Sequence, residues 1–190
     1  QLANNDNRAK IIDRNNNILA ISVPAWTMYA DPIEVLEPTK TAAFLHNLMP
    51  EKDLNFLNKK LNLKKRFVEI DRVTSPKRYQ TIFNSGITGI HFLKIQARIY
   101  PKGDLASHIL GNVSKDGEGL AGIERQFDTA LKSSKNPVKL TIDSNIQYIL
   151  QSEIKKQIDF FDADGGAGVV LNIQNGGILG LSSFPSFDVN

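Results

Sequence analysis

No cysteine occurs among these 190 residues, which excludes disulfides, zinc–thiolate sites and thiol nucleophiles within them. No apolar run approaches the roughly 20 residues that a helix needs to cross a bilayer, and no signal-peptide pattern opens the chain. His46, His91 and His108 stand apart, without the paired spacing of metal ligands. The glycines between Gly117 and Gly122 lack the lysine–serine/threonine ending of a phosphate loop. Neither Gly-x-Ser-x-Gly nor Lys-Thr-Gly appears. The net charge of +3 is too mild to argue for nucleic acid, and no basic stripe is interleaved with aromatics. No catalytic, metal or cofactor-binding residue is therefore assigned.

What is present supports folding. Hydrophobic residues make up 41% of the chain and charged residues 23%, enough apolar surface for a core and too little charge for wholesale disorder. The expected class is α+β, as one large domain or as one domain plus a piece of another.

The most constraining stretch runs from Arg98 to Leu131. Pro101 biases Tyr100 towards an extended conformation, and Lys102-Gly103 supplies a turn. Asp104 is placed to cap a helix through Leu110 that Gly111 ends. A second helix then carries Leu120, Ile123, Phe127 and Leu131 on one stripe, with Glu124 at its edge. A carboxylate there is either half buried, needing an arginine or several backbone donors, or leans into water. Upstream, Leu93, Ile95, Ala97 and Ile99 alternate with Lys94, Gln96 and Arg98, a half-buried strand whose polar face carries Arg98. From that face Arg98 has the reach to pair with Glu124.

The rest of the chain reads in order. Ile11-Ile12, the tip Asp13–Asn17 and the run Ile18–Val23 form a hairpin. Ala25–Ala30 is a strand ended by Asp31-Pro32, in which Trp26 is either core, the commoner state, or a ligand platform. Two short helices follow, Thr39–Leu48 and Glu51–Leu61, with Leu54, Leu57 and Leu61 on a buried stripe. Lys59, Lys60, Lys64, Lys65 and Arg66 make a basic patch, either a solvated face, the commoner case, or a contact for anionic lipid or an acidic partner. A strand Phe67–Arg72 and a helix from Ser75-Pro76 to Phe83 come next. After the polar linker Lys132–Pro137 the chain changes character: a strand Val138–Ile142, a helix capped by Asp143 or Ser144, and a hairpin turning at Asn175-Gly176 between Gly168 and Ser183.

Three motif blocks resemble those of class B penicillin-binding proteins. The first is Arg8, Asp13, Arg14, Asn15, Leu19 and Ala20, with Ala9 and Asn16 where that family has glycine. The second is Arg98-x-Tyr100-Pro101-x-Gly103, His108 to Gly111, and Gly119-x-x-Gly122-x-Glu124. The third is Leu140-Thr141-Ile142-Asp143 with Gln147, the hairpin, and Ser183 to Asp188 followed by Asn190; Gly177 replaces the family's usual glutamate. Trp26-x-x-Tyr29-Ala30-Asp31-Pro32 resembles the division-specific branch.

The resemblance implies an elongated non-catalytic pedestal over residues 1–137, then the first helix and β-hairpin of a truncated transpeptidase domain over 138–190. Arg8, Asp13, Arg14, Arg98, Tyr100, Pro101, Gly103, Gly111, Gly119, Gly122, Glu124, Asp143 and Gln147 are carried over as structural motif residues. It also implies a parent peptidoglycan D,D-transpeptidase of septal synthesis, periplasmic and held to the inner membrane by an upstream helix. Its expected partners are the septal glycosyltransferase and other division proteins. Penicillin and stem peptide would bind only the missing catalytic part.

Ser152-Glu153-Ile154-Lys155 and Ser134-Lys135-Asn136 imitate catalytic motifs in the wrong order, and chance explains them better. A stand-alone cell-wall scaffold and an unrelated α+β protein remain as alternatives. A sheet that stops after the hairpin is expected to leave an open edge that is mobile or pairs with another chain.

Overall fold

The computed structural model describes residues 8–190. Its strands are β1 (Ile11–Ile12), β2 (Ile18–Ala30), β3 (Val68–Thr74), β4 (Ile90–Ile99), β5 (Val138–Lys139), β6 (Gly166–Leu171) and β7 (Ile178–Phe184). Its helices are α1 (Pro38–Leu48), α2 (Leu54–Leu61), α3 (Pro76–Asn84), α4 (Ser107–Leu110), α5 (Gly122–Gln126), α6 (Asp128–Ser133) and α7 (Ser144–Phe161). The mixture is α+β, as expected. The chain divides into two compact units, Pro24–Ala97 and the remainder, and passes between them within β2 and within β4.

In the unit Pro24–Ala97, β2 pairs antiparallel with β3, Trp26 opposite Thr74 and Ala30 opposite Val68. Met28, Leu45, Met49, Leu57 and Leu61 are fully buried in its core. Asp53 caps α2 by accepting the Phe56 N–H at 2.9 Å, which starts that helix later than expected. Leu54 therefore sits at the helix entrance, 36% exposed, and drops out of the expected buried stripe. Trp26 is half buried and stacks on Tyr79 at 4.6 Å between ring centroids.

The other unit opens with the expected hairpin: Ile11 faces Ala20, Ile12 faces Ile18, and Asn16 takes a left-handed φ of 68° at the tip. β5 adds to β1 in parallel, Ile11 beside Val138, and covers only two of the five residues expected to be strand. Ile11, Leu19, Tyr100, Leu110 and Leu131 share one core. α7 begins where expected, Asp143 accepting the N–H groups of Asn145 (3.0 Å) and Ile146 (3.5 Å). One face of the β6–β7 hairpin lies on this helix, with Gly166 and Gly168 against Leu150, Ile154 and Ile158. The opposite face exposes Val169 and Leu171.

Two expectations fail here. Asp104 caps no helix, because left-handed turns at Gly103 (φ 61°) and Ala106 (φ 60°) carry the chain round before α4 can start. Its carboxylate instead accepts Gln151 Nε2 (2.9 Å) and Ser186 Oγ (3.1 Å). The single helix expected through Leu131 starts only at Gly122, leaving Leu120 outside it and exposed, and is broken into α5 and α6 at Phe127, which is exposed too.

Candidate functional site

Glu124 is the centre of a buried polar cluster. The close approach of two loops places it. Gly111, at the end of α4, has φ 68°, and a Cβ there would overlap the Ala121 carbonyl. Gly122, at φ 56°, would carry its Cβ 2.5 Å from the Ile109 oxygen. A Cβ on Gly119 would overlap the Glu124 carbonyl. Only glycine lets these backbones meet, and their meeting turns the Glu124 side chain inward.

There the carboxylate is fully buried, beyond both states that its helical spacing left open, half buried or leaning into water. Oε2 accepts Arg8 Nε at 2.6 Å, and Oε1 accepts Arg98 Nε at 2.8 Å and the Tyr100 hydroxyl at 3.3 Å. Arg8 Nη2 also donates to the Glu124 main-chain oxygen at 2.6 Å. In a continuous helix that oxygen would receive the Asp128 N–H, so its diversion accounts for the break at Phe127. Arg8 Nη1 donates to Asp128 Oδ1 at 2.6 Å and to the Gly117 oxygen at 3.2 Å.

Arg98 meets Glu124 as the alternation in β4 suggested. Its face is not wet, however: the side chain is 4% exposed, because Glu124 and the main chain at Arg8 and Ala9 enclose it. Arg98 Nη1 donates to the Ala9 oxygen at 2.9 Å, and Nη2 has no hydrogen-bond partner among the described residues. Asp128 was not anticipated. Burial would raise its pKa, but hydrogen bonds from Lys132, the Gly119 N–H and Arg8 outweigh that and hold it well below the usual carboxylate range. The Lys132 spacing at i+4 was the available signal. Burial first, then the Glu124 charge, pushes the Tyr100 hydroxyl well above its ordinary value.

A second polar joint forms round Asp13, which is fully buried. Oδ1 accepts the N–H groups of Asn15 and Asn17, both at 2.8 Å. Oδ2 accepts Asn17 Nδ2 at 2.8 Å, and Ser144 Oγ at 2.7 Å and N–H at 3.2 Å. Burial opposes ionisation, yet these donors lower the pKa to about 2. Asp143 Oδ2 accepts Asn15 Nδ2 at 2.9 Å.

Gln147 holds Leu181 through both amide groups, its Nε2 donating to the Leu181 oxygen and its Oε1 accepting the Leu181 N–H, each at 2.8 Å. With Thr141 Oγ1 on the Ile178 oxygen and the Asp143 N–H on the Leu179 oxygen, it covers much of the outer edge of β7. The open edge expected of the hairpin is thus on β6, which has no further strand partner among the described residues.

The remaining motif residues lie apart from both joints. Arg14 is exposed beside Lys139 and Asn175, Pro101 is exposed in the turn, and Gly103 has open space where a Cβ would stand. The main chain of Tyr100 is clasped by Asn190, whose Oδ1 accepts its N–H at 2.9 Å. His46, His91 and His108 bond separately to the Lys52 oxygen, Glu34 and the Pro185 oxygen.

This arrangement is suited to clamping, not to reaction. Both oxygens of Glu124 are occupied and none of its surface is open, so no substrate proton is within reach. Ser152 and Lys155 line a separate cleft of about 690 Å³ with Asp104 and Tyr148.

A family model for the penicillin-binding protein dimerisation domain matches residues 3–159 of this chain. The chain belongs to that family. The dimerisation-domain match spans both joints and runs past Pro137 into α7. Over 187 residues the chain is 34% identical to a probable peptidoglycan D,D-transpeptidase FtsI of Caulobacter vibrioides, covering 96% of this chain and 32% of that protein. Stage V sporulation protein D of Bacillus subtilis is 31% identical over 211 residues, with 95% and 32% covered. The chain spans about a third of the length of these relatives. A solved peptidoglycan synthetase from Bifidobacterium adolescentis shares the fold, with a TM-score of 0.58 at 22% identity over 97% of this chain and 43% of that one.

Proposed function

We propose that this chain is the non-catalytic part of a peptidoglycan D,D-transpeptidase of septal wall synthesis, and that it positions a catalytic domain and docks division partners. The observation that carries the reading is the convergence of Arg8, Arg98, Tyr100 and Glu124 on one buried clamp inside the family match. Such a clamp gives a rigid base, as a support needs.

In this reading residues 138–190 are the first helix and hairpin of the transpeptidase domain. Asp13 and Asp143 join them to the pedestal, and Gln147 ties that helix to the hairpin; Pro101, Gly103, Gly111, Gly119 and Gly122 shape the turns; Arg14 lies at the rim. The serine that attacks the stem peptide, and that penicillin would trap, belongs to chain beyond Asn190. A membrane helix upstream would hold the protein at the periplasmic face of the inner membrane. The Trp26–Pro32 spacing, which resembles that of the division-specific branch, favours septal work.

Labelling with a fluorescent penicillin tests this. The full-length gene product should be labelled, and the 190-residue piece should remain unlabelled. A piece that labels, with label lost in Ser152→Ala, would overturn the reading, as would a full-length product that ends near Asn190.

A further inference from the structure

The unit Pro24–Ala97 carries a charged surface that neither joint uses. Leu57 and Leu61 bury the inner side of α2, while Phe56, Lys59 and Lys60 fall at i, i+3 and i+4 on its outer side. The Lys60 ammonium lies 5.2 Å from the Phe56 ring centroid. It also donates to the Glu69 oxygen at 3.3 Å, which draws the last turn of α2 against β3. The connection between them exposes Lys64, Lys65, Arg66 and Phe67.

Two features set this surface apart from an ordinary solvated face. Three other cations of the unit pair with carboxylates, Lys52 with Asp71, Arg78 with Glu51 and Lys40 with Glu37. Among the described residues no carboxylate lies within ion-pair distance of Lys59, Lys64, Lys65 or Arg66. The same short stretch leaves large apolar rings in water, Phe56 at 41% and Phe67 at 58% exposure.

We infer that the α2–β3 surface docks on an anionic lipid bilayer. Uncompensated cations on flexible stems collect headgroup phosphates, and the exposed rings enter the layer below them. An acidic protein face would satisfy the charges but would offer the rings no apolar layer. The inference does not rest on the proposed function, because vesicle binding and penicillin labelling are read separately.

Co-sedimentation of the 190-residue protein with vesicles is the test. Vesicles of equal parts phosphatidylglycerol and phosphatidylcholine should bind it at low salt and release it as salt rises. Pure phosphatidylcholine should not bind it. Each cation near such a surface contributes about a factor of five, so the triple variant Lys64→Gln, Lys65→Gln, Arg66→Gln should bind about 100-fold less. Phe56→Ser should weaken binding while leaving the salt dependence in place. An unchanged thermal midpoint in the triple variant would show that folding is intact. No binding to the phosphatidylglycerol vesicles, or equal binding by the triple variant, overturns the inference. Binding to soluble polyglutamate without any to vesicles also overturns it, and assigns the surface to an acidic polypeptide.

Discussion

Arg8 and Glu124, 116 positions apart, are joined twice, through the carboxylate and through the main-chain oxygen, each at 2.6 Å. One guanidinium thus fixes both the rotamer of Glu124 and the point at which its helix stops. Removing the carboxylate leaves Arg8 and Arg98 facing each other's charge in a dry site. Glu124→Ala should therefore cost about 3–5 kcal/mol in urea unfolding. A loss below about 1 kcal/mol would show that the surroundings, not the ion pairs, hold the fold.

Gly122 and Gly103 separate close approach from backbone conformation. Both have positive φ, but only Gly122 faces another backbone at overlap distance. Gly103→Ala should cost about 1–2 kcal/mol, the left-handed penalty alone. Gly122→Ala should cost well over twice that and loosen the Glu124 clamp. Equal losses at the two positions would contradict the packing described.

Parts of the clamp were legible in the sequence, for physical reasons. Period-two alternation put Arg98 on the side of β4 from which Glu124 is reachable, and the helix edge left Glu124 either wet or in need of an arginine or backbone donors. Motif likeness marked Arg8, but no local pattern tied it to a carboxylate more than a hundred residues away. The break at Phe127 was hidden because Leu120, Ile123, Phe127 and Leu131 keep helical spacing whether or not the helix is continuous. What decides is the competition for the Glu124 carbonyl, a tertiary effect. Asp104 was misread for a related reason: an N-cap residue type is also a turn residue, and here Gly103 and Ala106 supply the turn.

Acid should open the Asp13 joint. Its pKa in the fold is about 2, below the ordinary 3.8, so its stabilising contribution is complete above about pH 4 and is lost as pH falls through about 2. Urea midpoints measured from pH 5 down to pH 2 should fall, and Asp13→Asn should flatten that slope. An unchanged slope in the variant would remove Asp13 from the acid response.

Gln147 should protect one particular amide. Gln147→Leu leaves the Leu181 N–H and oxygen without their side-chain partners, at a cost of about 2 kcal/mol. Hydrogen exchange at Leu181 should quicken markedly while Leu19, buried in the core with Ile11 and Tyr100, keeps its protection. Unaltered exchange at Leu181 would mean that β7 is held without this helix.

A charged clamp, not apolar packing alone, locks Arg8 to α5. A double-mutant cycle with Arg8→Met and Glu124→Gln, followed by urea unfolding, addresses it directly. The coupling should be at least about 1.5 kcal/mol, the double variant losing much less than the sum of the two single ones. Additivity within about 0.5 kcal/mol would contradict it.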